Sequence, residues 1–363
     1  IVLNYTGGRG IKVEEQASWV GLGWSLNAGG AVSRTKRGVA DEAPSGRGFM
    51  SYTEIPTEQV GTNNTLVNAD FFWDIARGRK DSQPDKFMYS TPSGSGSFFI
   101  NYDESIYQKP FSEKRITFQK ILSTYTDGNG FACNSTNGLD GFYVEDEMGL
   151  MYHFEEKERS NSRNQGGNVY DNSCYPTTWQ MTKITDNNSN LSVDFEYDAF
   201  YYSNVRLTPV VTGPNETTSY VEDFYLSKRL KKITHSQGSV EFIVSTTERK
   251  DLEDNYPLET VRIKDIDGNT IKEYHFSYRY FTSNALVDDS PGLALSSQNR
   301  LVLTSVEEVG TDGSTLPPHT FTYNTTHYLP DTDSKSKDHW GYYNGKNNSK
   351  FQARQLANYW NGN

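Results

Sequence analysis

The chain has 363 residues, 46 acidic against 35 basic for a net charge of -11, 34% hydrophobic and 13% aromatic residues, and a mean hydropathy of -0.73. An acidic average field repels the phosphates of nucleic acid and the headgroups of anionic lipid, so neither is an expected partner, and no apolar run is long enough to span a bilayer as a helix. Few aliphatic residues with many Tyr and Phe favour numerous half-exposed strands over a thick helical core, in one large all-β domain or two smaller ones.

In chain order, residues 1–5 read as a strand and 6–10 as a turn leading to a short strand at 11–13. The chain starts without Met and without a charged-then-apolar leader, so a processed or partial product of a longer chain is expected. Residues 14–35 combine Trp19, Gly21, Gly23, Trp24 and Leu26, which pairs large buried area with positions of close backbone approach. Residues 37–64 are rich in Gly, Pro, Ser and Thr and predict an irregular connection. Residues 68–78 predict a short helix that plugs or braces a sheet, with Asn68 as cap, Asp70 near the positive end, Phe71, Phe72 and Ile75 on one face, and Gly78 as stop.

From residue 84 onward, hairpins dominate. The clearest predicted pair is 179–184 and 191–198, where Leu191, Val193, Phe195 and Tyr197 alternate with polar residues, so that one face is buried and the other wet. Similar units turn at Gln237-Gly238, at residues 265–269 and near Asp312-Gly313, and Tyr274, Phe276, Tyr278 and Tyr280 alternate in the strand after the second of these turns. Each hairpin cannot bury its own face and must stack on its neighbours, so the expected architecture is a continuous curved sheet or partial shell of degenerate repeats. Four segments result: 1–66 opening strands and irregular loop, 67–160 helix and first hairpins, 161–330 degenerate hairpin repeats, and 331–363 a final block and tail.

The run Gly21-Leu22-Gly23-Trp24-Ser25-Leu26, with Ser33-Arg34-Thr35 behind it, resembles the opening signature of the RHS/YD-repeat family, as in the shell-forming components of Tc toxins and SpvB-like domains. Asp338-His339-Trp340-Gly341-Tyr342-Tyr343-Asn344-Gly345 resembles a second block of secreted bacterial members, and Phe195-Glu196-Tyr197-Asp198 is similar to the family's repeat unit. A good Tyr-Asp occurs in that copy alone, a departure that places these repeats before a regular array. The resemblance implies a non-enzymatic shell or scaffold segment of a large exported bacterial protein, secreted or held at the cell surface. Such a segment would serve a toxin or adhesin carrier, with the rest of its own chain and an outer-membrane secretion translocon as partners.

Catalytic motifs are missing from the sequence: no phosphate loop, metalloprotease His pair, nucleophile elbow or CxxC pair occurs, and no catalytic residue, cofactor or metal ligand is assigned. Asp265, Asp267 and Asn269 have the spacing of a calcium loop but lack its glycine position and final Glu, so a hairpin turn is favoured. Arg34-Lys36-Arg37 and Lys228-Arg229-Lys231-Lys232 are basic clusters, read as solvated faces ahead of phosphate contacts. Cys133 and Cys174 sit in polar stretches that suit a disulfide in an oxidising compartment, with two free thiols as the other reading. The alternative function is a carbohydrate-binding or adhesin module that would hold surface glycans on Trp340, Tyr342, Tyr343, Tyr359 and Trp360. A glycoside hydrolase using a pair such as Glu145 and Glu147 ranks third.

Overall fold

A computed structural model describes residues 1–7, 10–43, 46–54, 59–60, 66–121, 125–126, 132–133, 138–164, 169–170, 175–186, 188–212, 215–283, 285–287 and 296–348. At 59–60, 66–67, 121, 125–126, 132–133, 161–164, 169–170, 205–212, 215–220, 286–287 and 296 the description is of the backbone alone. The described chain is all-β, antiparallel throughout, with one α-helix. Its principal elements are β1 (Val2–Tyr5), β2 (Trp24–Asn27), β3 (Ala31–Thr35), α1 (Ala69–Ala76), β4 (Lys86–Thr91), β5 (Gly94–Ile100), β6 (Ile106–Gln108) and β7 (Arg115–Ile121). There follow β8 (Gly138–Glu145), β9 (Leu150–Asn164), β10 (Pro176–Asp186), β11 (Ser192–Thr212), β12 (Asn215–His235), β13 (Gly238–Val244), β14 (Leu258–Lys264), β15 (Thr270–Phe281), β16 (Arg300–Gly310) and β17 (His319–Thr320).

The pair β9–β10 is the hub. β10 runs along one edge of β9, while β8 and then the far end of β12 share the other edge, so that Arg159 faces Pro176 on one side and Leu226 on the other. On its own free edge β10 takes β3 at 178–180 and β11 at 183–185. From β3 the sheet continues through β4, β5 and β6; from β12 it continues through β13, β14, β15, β16 and β17. Because β12 pairs with both β11 and β9, the strands β9, β10, β11 and β12 close into a ring. Closure satisfies backbone groups that an open edge would leave to solvent or to another chain.

Strand alternation sets the core. Phe87 of β4, Phe98 of β5, Phe142 of β8 and Trp179 of β10 are fully buried, with ring centroids 5.2 Å apart for Phe87–Phe98 and 4.8 Å for Phe142–Trp179. Trp179 Nε1 donates to the Leu139 carbonyl at 3.3 Å, giving the buried indole its partner. A second, smaller cluster of Ala17, Leu22, Tyr280, Leu301 and Val302 lies where the start of the chain meets β15 and β16.

Three details differ from the sequence reading. β11 and β12 are 21 residues each, and β11 runs far beyond the predicted end at residue 198, because each strand pairs with the other along its whole length. Leu191 stands outside β11 and is exposed. The helix forms, but no residue of it is buried, so it plugs nothing: Phe71 packs edge-on against Tyr52 at 5.5 Å, while Trp73 is exposed. Asn68 makes no side-chain cap and instead takes a left-handed backbone at φ 65°, whereas Gly78 at φ +66° ends the helix as expected.

Candidate functional site

The opening signature folds as a clasp of tight turns. Ser18 Oγ donates to the carbonyls of Gly21 (3.2 Å) and Trp24 (2.7 Å), so this one hydroxyl organises the turn. Gly21 has φ +104°, and a Cβ there would lie 2.7 Å from the backbone nitrogen of Leu303 in β16. Only glycine allows that approach, which brings Leu22 N to donate to the Leu301 carbonyl at 2.8 Å. Trp24 packs on Tyr5 (4.9 Å) and Phe321 (4.5 Å), and its Nε1 donates at 2.9 Å to the Tyr323 hydroxyl, which donates in turn to the Leu303 carbonyl at 2.5 Å. Gly23 closes on the Tyr5 ring, Leu26 packs against the main core, and the Trp19 carbonyl accepts Leu258 N of β14 at 2.9 Å.

The second block meets the first. Asp338 Oδ1 accepts the N–H groups of Trp340 and Tyr342, each at 2.9 Å, and this turn presents the Gly341 carbonyl to Val13 N at 2.9 Å. Lys12 and Tyr342 form an isolated antiparallel bridge, and Lys337 pairs with Glu14. Residues 11–13, predicted as a strand, thus contribute a bridge to a partner more than 300 positions away. Of the residues singled out, Leu26 faces the main core, while Trp19, Gly21, Gly23, Trp24 and Asp338 converge on this seam. His339 and Trp340 do not: they form the tip of the turn, edge to face at 6.2 Å, with Trp340 72% exposed.

Two arginines that sequence reasoning missed complete the seam. Arg249, 4% exposed, grips Asp251 through Nε and Nη2 at 3.0 and 2.9 Å, and donates to the carbonyls of Ala17 (2.9 Å) and Ser18 (3.2 Å). Asp251 Oδ2 also accepts Leu301 N at 3.0 Å, so one ion pair ties the opening segment to β16. Arg300, 1% exposed, donates to the Val13 carbonyl at 2.8 Å, and burial pushes its guanidinium down to about 10. Arg249 lies in Glu248-Arg249-Lys250-Asp251, a run that reads as a solvated loop; nothing local marks it for burial.

Under the seam lies a cleft of about 440 Å³, lined by Trp19, Tyr197, Phe200, Tyr202, Arg229 and Glu158 among others. Phe200, Tyr202 and Tyr225 form a stacked row at 5.7 and 4.7 Å, and the Arg229 guanidinium sits 5.1 Å over Phe200. Burial raises the Glu158 carboxyl, which accepts the backbone N–H of Lys228 at 2.9 Å. The second basic cluster is mostly spent on neighbours, with Lys228 paired to Glu156 and Lys231 to Asp198.

A third constellation is acidic and buried. Arg34 of β3 pairs with Glu42 and with Asp85 (2.8 Å), so the first basic cluster begins in the interior. Burial lowers and these carboxylates raise its proton affinity, with a net rise. Beside it Asp41, Asp81 and Asp85 each offer an oxygen within 4.8 Å of the others' and are the described residues that could hold a metal ion. Burial, followed by the charge of Asp85, pushes the Asp41 carboxyl well up, and burial pushes Asp81 up to about 6.

The remaining candidates resolve separately. Asp265 Oδ1 accepts N–H groups of Asp267 (3.0 Å) and Asn269 (2.8 Å), the turn arrangement favoured from sequence. Glu145 lies by Arg115 and Glu147 by Lys114. Cys174, Tyr359 and Trp360 lie outside the described residues, and Cys133 is described in its backbone alone, so the disulfide lies outside them too. No protein-family model matches the chain, and no curated protein matches it in sequence.

Proposed function

We propose that the chain is a non-enzymatic wall segment of a larger exported bacterial protein of the RHS/YD-repeat kind, secreted or displayed at the cell surface. Stacked hairpins supply rigidity, and the two signature blocks act as a joint that fastens the first strands of the wall to the last. The observation that carries this reading is the backbone contact between residues 12–13 and 341–342, beside the glycine-dependent approach of Gly21 to Leu303. A joint needs backbone complementarity and no chemistry, which accounts for why the blocks hold Gly, Trp and Asp and bring no nucleophile and base together. In the same reading the chain's partners are the remainder of its own polypeptide and the secretion translocon, and its role is that of a toxin or adhesin carrier.

The test is intact mass and electron microscopy of the native polypeptide recovered from medium and cell-surface fractions. A chain much heavier than 41.1 kDa, with this segment in a hollow wall, is the expected result. A free 41.1 kDa protein with no enclosing assembly overturns it. A second reading, glycan binding, is favoured by the cleft that Tyr202, Arg229 and Glu158 help to line, since a hydroxyl, a guanidinium and a carboxyl around one cleft suit hydrogen bonding to sugar hydroxyls. It predicts glycan-array binding that Tyr202→Ala abolishes.

A further inference from the structure

We propose that Asp41, Asp81 and Asp85 form a binding site for one hard divalent cation of the calcium class, which clasps the turn after β3 to the loop before β4.

The three carboxylates come from two segments that run on past the paired ends of β3 and β4, beyond Thr35 and Lys86. Asp41 lies in the turn after β3, Asp81 and Asp85 in the loop leading to β4, and all are at most 2% exposed. Four acids, Asp41, Glu42, Asp81 and Asp85, surround a single guanidinium, Arg34, whose ion pairs go to Glu42 and Asp85. Among the described residues neither Asp41 nor Asp81 has an ion pair, and buried carboxylates without a counter-charge are strongly disfavoured.

The hydrogen bonds show where the open coordination lies. Both oxygens of Asp41 are 3.0 Å from Asp85 N; Asp85 Oδ1 accepts Arg37 N at 2.6 Å, and Asp85 Oδ2 accepts Arg34 Nε at 2.8 Å and Asp41 N at 3.3 Å. Asp81 Oδ1 accepts Ser82 N at 2.8 Å, but Asp81 Oδ2 is buried with no hydrogen-bond partner among the described residues. Such an orphaned buried oxygen requires explanation, and a metal ion is one of the few groups that supplies it.

The donor set is oxygen only, which selects a hard cation over zinc or copper. Three oxygens that all lie within 4.8 Å of one another are close enough to share one cation, and calcium's adaptable shell of about six to eight oxygens accepts such a carboxylate set more readily than magnesium's strict octahedron. Backbone shape fits as well: Gly38, at φ +90°, leaves room for Asp81, whose Oδ1 would lie 2.9 Å from a Cβ at that position.

The test is calorimetric titration of the purified, EDTA-treated native protein with calcium, and with magnesium or zinc alone as comparisons, alongside thermal melting. The expected result is one saturable calcium per chain, a melting temperature raised by about 5 °C at hundredfold excess over the dissociation constant, and reversal by EDTA. Asp81→Asn keeps the shape and the Ser82 contact and should weaken calcium at least about tenfold with an unchanged circular dichroism spectrum. Tyrosine-sensitised terbium emission, displaced by calcium, reads the unmutated protein and keeps the test independent of how Asp81→Asn folds. No saturable calcium heat and no melting shift in the native protein, or calcium binding by folded Asp81→Asn as tight as the original, overturns the site.

Discussion

The central core and the seam hold the molecule by different means. In the core, Phe87, Phe98, Phe142 and Trp179 meet through their rings, and each strand's buried residues follow from simple alternation. At the seam only a small apolar cluster is buried, and the joint depends on backbone groups held by Arg249, Arg300, Trp24 and the Asp338 turn. The core therefore resists through area removed from water, spread over many contacts, whereas the seam resists through a few directional bonds. Damage to the first should lower the stability of the whole sheet. Damage to the second should open one joint while leaving the hairpins paired.

Substitutions can break or sharpen this contrast. The largest effect is expected from Trp179→Ala, about 3–5 kcal/mol in urea denaturation, with hydrogen exchange rising across β4, β5, β8 and β10 together. Arg249→Met should cost about 3–4 kcal/mol because Asp251 would be left buried and uncompensated; adding Asp251→Leu should recover much of that loss in a double-mutant cycle. Its exchange signature should be local, at Leu22 and Leu258, and a uniform rise would erase the distinction between core and seam. Gly21→Ala should cost about 2 kcal/mol, since it needs both a left-handed backbone and contact with Leu303 N. Trp24→Phe keeps the packing on Tyr5 and Phe321 and loses the bond to Tyr323, about 1 kcal/mol. Trp340→Ala should stay within about 0.5 kcal/mol of the unchanged protein, because that ring is exposed.

The same contrast explains what could be read from sequence. Strand pairs such as β10 with β11, or β14 with β15, are adjacent in the chain, alternate with period two and enclose Asn, Asp and Gly turns, so local pattern reveals them. The all-β class follows from the same signals. The length of β11 and β12 was not legible, because each strand is held along its whole length by the other, and that mutual support is a property of the partner, not of the strand. The helix was legible as a helix, yet its burial was not, because an aromatic face shows amphipathicity without naming what it meets. At the seam, Gly21, Trp24 and Asp338 stand out as unusual residues; that they meet Leu303, Tyr323 and Val13 does not, since those contacts join opposite ends of the chain. Arg34, Arg249 and Asp81 sit among charges that read as solvent-facing, and only the folded surroundings withdraw them from water.

The bond from Val13 to Gly341 has a mechanical meaning. Tension applied to the backbone at residue 13 and at residue 341 would be borne first by that bond and then by the neighbouring contact of Leu22 with Leu301, not by the hairpins between them. The intervening strands lie in a loop that carries no load until the joint gives way. A segment fastened in this way transmits a pull from one neighbour to the next while its own sheet stays slack.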